Sequence, residues 1–88
     1  MKFTVVWRPS ARQKLAEIWV GTPDQREAVT KAADSVDWAL RTSPQSHGEA
    51  RVGNLRVLFV DPLVVLYEVY PADRLVAVIG VRKYPGQR

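Results

Sequence analysis

Eighty-eight residues leave room for one domain, so a single unit spanning residues 1–88 is expected. An apolar fraction of 47% against 25% charged residues excludes intrinsic disorder, and the absence of cysteine excludes a disulfide framework or a thiolate metal site. Thirteen Lys and Arg against nine Asp and Glu give a net charge of +4, which suits acidic partners or phosphate backbones without choosing between them.

The chain opens on Phe3, Val5 and Trp7 alternating with Thr4 and Val6, a short first strand over residues 2–7 that Pro9 stops. This apolar run is too short for a signal peptide or for a membrane span of about 20 residues, so a soluble, cytoplasmic protein is expected. Ser10-Ala11-Arg12-Gln13 has the capping-box pattern and starts a helix, with Ala11, Leu15, Ile18 and Trp19 on one face. Gly21 ends it. Thr22-Pro23-Asp24 then predicts a second start, with Thr22 as the cap, and the second helix should run to about Thr42. Ala28, Val29, Ala32, Ala33, Val36 and Leu40 line its apolar face, and the two helices form a hairpin.

A polar connector follows from Ser43 to Ala50, and Arg51-Val52-Gly53 leads out of it. From Asn54 to Tyr84 three runs rich in Val, Leu, Ile, Phe and Tyr are separated by Asp61-Pro62 and Pro71-Ala72-Asp73. Short turns of this kind join antiparallel strands. The expected architecture is α+β with the order β-α-α-β-β-β: a twisted antiparallel sheet that includes the first strand, with the helical hairpin on one face. The other face is left partly open. Arg56 must point away from the side that Leu55 and Val57 occupy.

Several constellations fail. A two-metal nuclease needs clustered carboxylates, but Asp24, Glu27, Asp34 and Asp37 lie along one helix as solvated charge. One His and no Cys cannot make a zinc site, and Gly48 and Gly53 are isolated rather than a phosphate loop. Trp7 and Trp19 fall in apolar phases and are expected in the core, whereas Trp38 sits at the margin of its helix's apolar face and suits an interface.

In this order, V-x-W-x-P-S-A, L-A-E-I, R-V-G-N-L-R-V-L-F-V, V-L-Y-E-V and V-A-V-I-G-V-R-K-Y resemble the RelE/ParE superfamily of type II toxin–antitoxin toxins. The resemblance covers nearly the whole chain. It implies a sheet whose helix-free face is the functional groove, no metal or cofactor, and a cognate antitoxin as partner. Many members cleave mRNA on the ribosome; ParE-type members poison DNA gyrase. A homodimer or a toxin–antitoxin hetero-oligomer is the assembly to expect.

Metal-free RNA cleavage needs a base for the 2′-hydroxyl, stabilisation of the phosphorane and an acid for the leaving oxygen. Arg56 aligns with the family's strand arginine and Arg82 with its C-terminal one, and together they are expected to clamp phosphate. The plain alternatives are an Arg56–Glu68 pair and a solvated strand end. Tyr84 would stack on a base or assist proton transfer, or else lie as a lid on the sheet. Arg51 and Lys83 are candidate substrate-binding cations, and His47 or Glu49 in the connector is the candidate general base. Outside the nuclease reading stand a gyrase poison with no chemistry of its own and a degenerate, non-toxic member.

Overall fold

Apolar residues on both sides of Leu63–Tyr70 make this strand the centre of the sheet. The computed structural model describes residues 2–84. Its elements are β1 (Thr4–Trp7), α1 (Pro9–Gly21), α2 (Arg26–Thr42), β2 (Glu49–Ala50), β3 (Leu55–Val60), β4 (Leu63–Tyr70) and β5 (Leu75–Lys83). The strands lie in the order β1-β5-β4-β3-β2. The two anticipated hairpins, β3–β4 and β4–β5, are antiparallel, with Leu58 opposite Val65 and Val65 opposite Val81.

The sheet is nevertheless mixed rather than antiparallel throughout, because β1 runs parallel to β5, from Thr4 opposite Leu75 to Trp7 opposite Val78. Alternation marks a strand but not its direction. Direction follows from where the helical hairpin returns the chain. The two-residue β2, at the end of the polar connector, pairs with β3 and adds a fifth strand.

Both helices cover one face, as the alternation requires. Ala11 and Ile18 of α1 and Val29, Ala32, Val36, Ala39 and Leu40 of α2 are buried there. They pack with Leu58 of β3, with Leu63, Val65, Tyr67 and Val69 of β4, and with Val76, Val78 and Val81 of β5. Each fully buried Leu or Val contributes roughly 1.5–3 kcal/mol. Trp7 packs partly against this core.

The helix termini differ from the sequence expectation. Helix α1 begins at Pro9, whose missing N–H costs nothing at the first position, so Ser10 lies inside the first turn and no side chain caps the end. The Thr22 hydroxyl caps no N-terminus and donates instead to Ile18 O at 2.7 Å. Pro23–Gln25 forms a separate turn before α2. Arg26 supplies what α1 lacks at its C-terminus: it donates to the carbonyls of Trp19 (3.0 Å) and Val20 (3.2 Å), where a cation meets the negative end of the helix dipole. Its guanidinium lies 4.4 Å from the Trp19 ring centroid. The indole N–H of Trp19 reaches the Thr30 hydroxyl at 3.1 Å. Trp19 is therefore not a core residue but 41% exposed, held between Arg26 and Thr30 across the hairpin.

The connector is tied down from beneath. Fully buried Tyr67 sends its hydroxyl to Pro44 O and His47 O, both at 2.9 Å. Arg56, directly across from it, donates to His47 O at 3.1 Å and Gly48 O at 3.3 Å. Gly48 has φ of +71°, and a Cβ there would meet Val57 O at 2.5 Å and the Tyr67 hydroxyl at 2.9 Å, so only glycine fits.

Replacing Tyr67 by Phe takes the hydroxyl donor from Pro44 O and leaves His47 O to Arg56 alone, and should cost about 1–3 kcal/mol in urea unfolding at neutral pH. Burial raises the Tyr67 hydroxyl above its ordinary value, with Arg56 acting in the opposite direction. Its contribution is thus complete below about pH 10 and is lost as pH rises further, because the unfolded chain releases that proton first. The stability loss above pH 10 should be shallower in Tyr67→Phe than in the native chain.

Candidate functional site

The face without helices follows from strand parity. On β3 it carries Leu55, Val57 and Phe59; on β4, Val64, Leu66, Glu68 and Tyr70; on β5, Gly80 and Arg82, opposite Leu66 and Val64. A groove of about 480 Å³ crosses it. Val57, Val64, Leu66 and Gly80 form the floor, with Arg51 on one flank and Arg82 on the other. Gly80 keeps the floor low: a Cβ there would stand in ordinary contact, 3.7 Å from Leu66 Cβ.

Four of the anticipated residues gather at this groove. Arg82 is exposed, with no carboxylate in ion-pair reach among the described residues. Arg51 reaches Glu49 at 3.2 Å, and the Glu49 side chain is 74% exposed. Parity places both on the open side, Glu49 opposite Val57, while Arg51 donates its backbone N–H to Leu55 O at 2.8 Å. Tyr84 closes one end through an edge-to-face contact with Phe59, at 5.6 Å between centroids and 85° between planes. Its backbone N–H donates to Pro62 O, which fixes the chain after β5.

The other three stand elsewhere. Arg56 was expected beside the open face with Arg82, and it lies on the opposite one. It shares the helix side with Leu58 and Val60, its fork spent on the connector carbonyls. The reason is that Leu55 and Val57, taken as core, belong to the open side. The expected two-arginine clamp does not assemble, and neither does an Arg56–Glu68 pair, whose members occupy opposite faces. His47 is half-buried in a separate recess of about 590 Å³ with Ser35, Trp38 and Leu58. Trp38 there is 66% exposed. Lys83, opposite Leu63, is exposed on the helix side of the sheet.

Sequence reasoning passed over a second polar group on the open face. Half-buried Tyr70 donates its hydroxyl to Glu68 at 2.6 Å. That bond, then burial, raises the Tyr70 hydroxyl above its ordinary value, while nearby Arg8 opposes the rise. The signal was available: counting by twos from Val64 along β4 reaches both residues. Among the described residues no three His, Asp or Glu side chains converge as a metal site, and no helix is long and apolar enough to cross a membrane.

A two-helix layer over one face of a five-stranded mixed sheet defines an α+β fold of the RelE/ParE kind. It is similar to the chromosomal ParDE toxin–antitoxin system of P. aeruginosa, at 16% identity over 93% of this chain and 96% of that one, with a TM-score of 0.74. It is similar also to the RelBE2 toxin–antitoxin complex of Mycobacterium tuberculosis, at 19% identity over 94% and 92% with a TM-score of 0.70. The isolated E. coli RelE toxin aligns at 13% identity over 98% and 88% with a TM-score of 0.66. No curated protein matches by sequence. The family model for the ParE toxin of the type II toxin–antitoxin system parDE matches residues 5–84, and the chain belongs to that family.

The two arginines should separate by stability. Arg56→Ala takes the side-chain donor from Gly48 O and one of two from His47 O, and should lower unfolding free energy by about 1–3 kcal/mol. Arg82→Ala should stay within about 0.5 kcal/mol of the native chain in the same thermal or urea scan.

Proposed function

We propose that this chain is a ParE-type toxin that arrests growth by gripping a protein target, DNA gyrase, with the open face of its sheet, and that it breaks no bond itself. The observation that carries this reading is the groove: an aliphatic floor between two guanidinium groups, with Arg56 and His47 directed to the other side of the sheet. Aliphatic surface rewards contact with apolar side chains, and guanidinium groups at a rim steer and orient an acidic partner.

A small antitoxin is the second partner, as in the ParDE and RelBE2 systems that share the fold. Between α1 and α2 lies an apolar groove of about 500 Å³ lined by Leu15, Trp19, Val20, Val29 and Ala33. Val20 is 62% exposed there. Such a trough fits the apolar face of an antitoxin helix, and the net charge of +4 favours an acidic one. The action of the toxin on gyrase places it in the cytoplasm.

One observation favours the second reading, ribosome-associated mRNA cleavage. Glu49, Arg51, Arg82 and Tyr84 all border the groove, which supplies a carboxylate, two phosphate-binding forks and a stacking ring.

Induced expression separates the two. Under the binding reading the native chain inhibits supercoiling by purified gyrase and leaves mRNA 5′ ends unchanged. Arg82→Glu and Leu66→Asp should each weaken arrest by about tenfold or more, the usual effect of removing an anchoring contact. In-frame mRNA cuts that disappear in both Arg82→Ala and Glu49→Gln, with gyrase unaffected, would replace this reading by the nuclease.

A further inference from the structure

The two ends of the open face carry opposite charge chemistry. At one end Arg82 lies across from Val64, and Arg51 flanks the same stretch. Two steps along the same side of β4, past Leu66, stands Glu68, and Tyr70 follows. At about 3.3 Å per residue, the Val64 and Glu68 positions are roughly 13 Å apart. Glu68 is a half-buried carboxylate whose side-chain partner is the Tyr70 hydroxyl at 2.6 Å. Among the described residues no Lys or Arg pairs with it, and Arg8, the cation near this end, acts on the Tyr70 hydroxyl rather than on the carboxylate. An ionised carboxylate offers about four acceptor positions, so most of its capacity faces outward. A partly desolvated charge in that state is matched best by a donor from outside.

We infer that the face recognises an extended segment of the target protein with a fixed polarity: an acidic side chain at Arg82, an apolar side chain over the Leu66–Gly80 floor, and a Lys or Arg side chain at Glu68. The inference rests on the open face being the target surface. The spacing is that of a β-strand, in which residues i, i+2 and i+4 point the same way and span the same roughly 13 Å. The missing side chain at Gly80 leaves the central position room for an apolar group. A nucleic acid laid along the same strip would bring phosphates against Glu68, where like charge repels them.

The two kinds of partner predict opposite signs for one substitution. Native chain, Glu68→Gln, Glu68→Lys and Arg82→Glu are induced at graded, immunoblot-matched levels and scored for the dose that halves growth, and each purified protein's unfolding midpoint is measured. A polypeptide of the stated polarity requires Glu68→Lys to raise that dose by about tenfold and Glu68→Gln by about threefold, both with a native-like midpoint. If Arg82→Glu abolishes arrest while Glu68→Lys leaves it unchanged or strengthens it, the inference is overturned although the open face stays the target surface. Tighter binding of Glu68→Lys than native chain to an oligouridylate of about 12 nucleotides, read by fluorescence anisotropy, would then assign the strip to nucleic acid. If Arg82→Glu leaves arrest unchanged, or the native chain arrests nothing, the reading beneath falls together with the inference. Should Glu68→Lys fail to fold, the isosteric Glu68→Gln decides by the same criterion.

Discussion

The β2 flank of the open face depends on how the connector after α2 is held, and a phenol and a guanidinium hold it. Tyr67 and Arg56 face each other across β4 and β3 and together satisfy the carbonyls of Pro44, His47 and Gly48. Buried carbonyls without donors would cost a few kcal/mol, a large part of what a domain this small has in reserve. With the connector fixed, β2 docks on β3 and carries Glu49 and Arg51 to the flank of the groove. Gly48 permits the close approach, since any side chain there would collide with Val57 O and the Tyr67 hydroxyl.

Strand β4 connects this anchor to the rest of the molecule. Its helix-side residues Leu63, Val65, Tyr67 and Val69 are all buried, and its open-side residues Val64, Leu66, Glu68 and Tyr70 form a strip with mixed chemistry. The same alternation thus places the densest packing and the candidate groove back to back. A one-residue slip would exchange them, so the core that sets the register also fixes what the groove displays.

All the elements but β2, which lies inside the polar connector, were legible in the sequence from their periodic signals: the second helix ended at Thr42, and the two hairpins closed at the turn signals. The face of β3 was not legible. Leu55, Val57, Leu58, Phe59 and Val60 are apolar on both sides of the strand, so alternation gives no preference, and Arg56 was assigned to the wrong side. Trp19 misled for a related reason. Its helical phase is apolar, but Arg26 and Thr30 hold it at the rim of the hairpin rather than inside. Thr22 had a neighbour at each end and took the acceptor behind it. The direction of β1 lay beyond local pattern altogether. Of the candidate site residues Glu49, Arg51, Arg82 and Tyr84 came together, while the carboxylate on β4 had been weighed only as a partner for Arg56.

The division of labour between the two strand arginines bears on what the fold can do. A catalytic guanidinium must be held in place before charge develops, because preorganisation is what lowers the barrier. Arg56 is held in that way, but its donors are committed to carbonyls on the helix side. Arg82 faces the groove, but no ion-pair partner among the described residues holds its side chain. The anchored fork is therefore the one withdrawn from the groove, and the fork at the groove is the unpaired one. An unpaired cation beside an apolar floor costs little to a binding surface, where it meets a partner's carboxylate as contact forms. Phosphoryl chemistry asks for a guanidinium already held in place. That asymmetry is what supports the proposal of a toxin that seizes its target rather than cutting it.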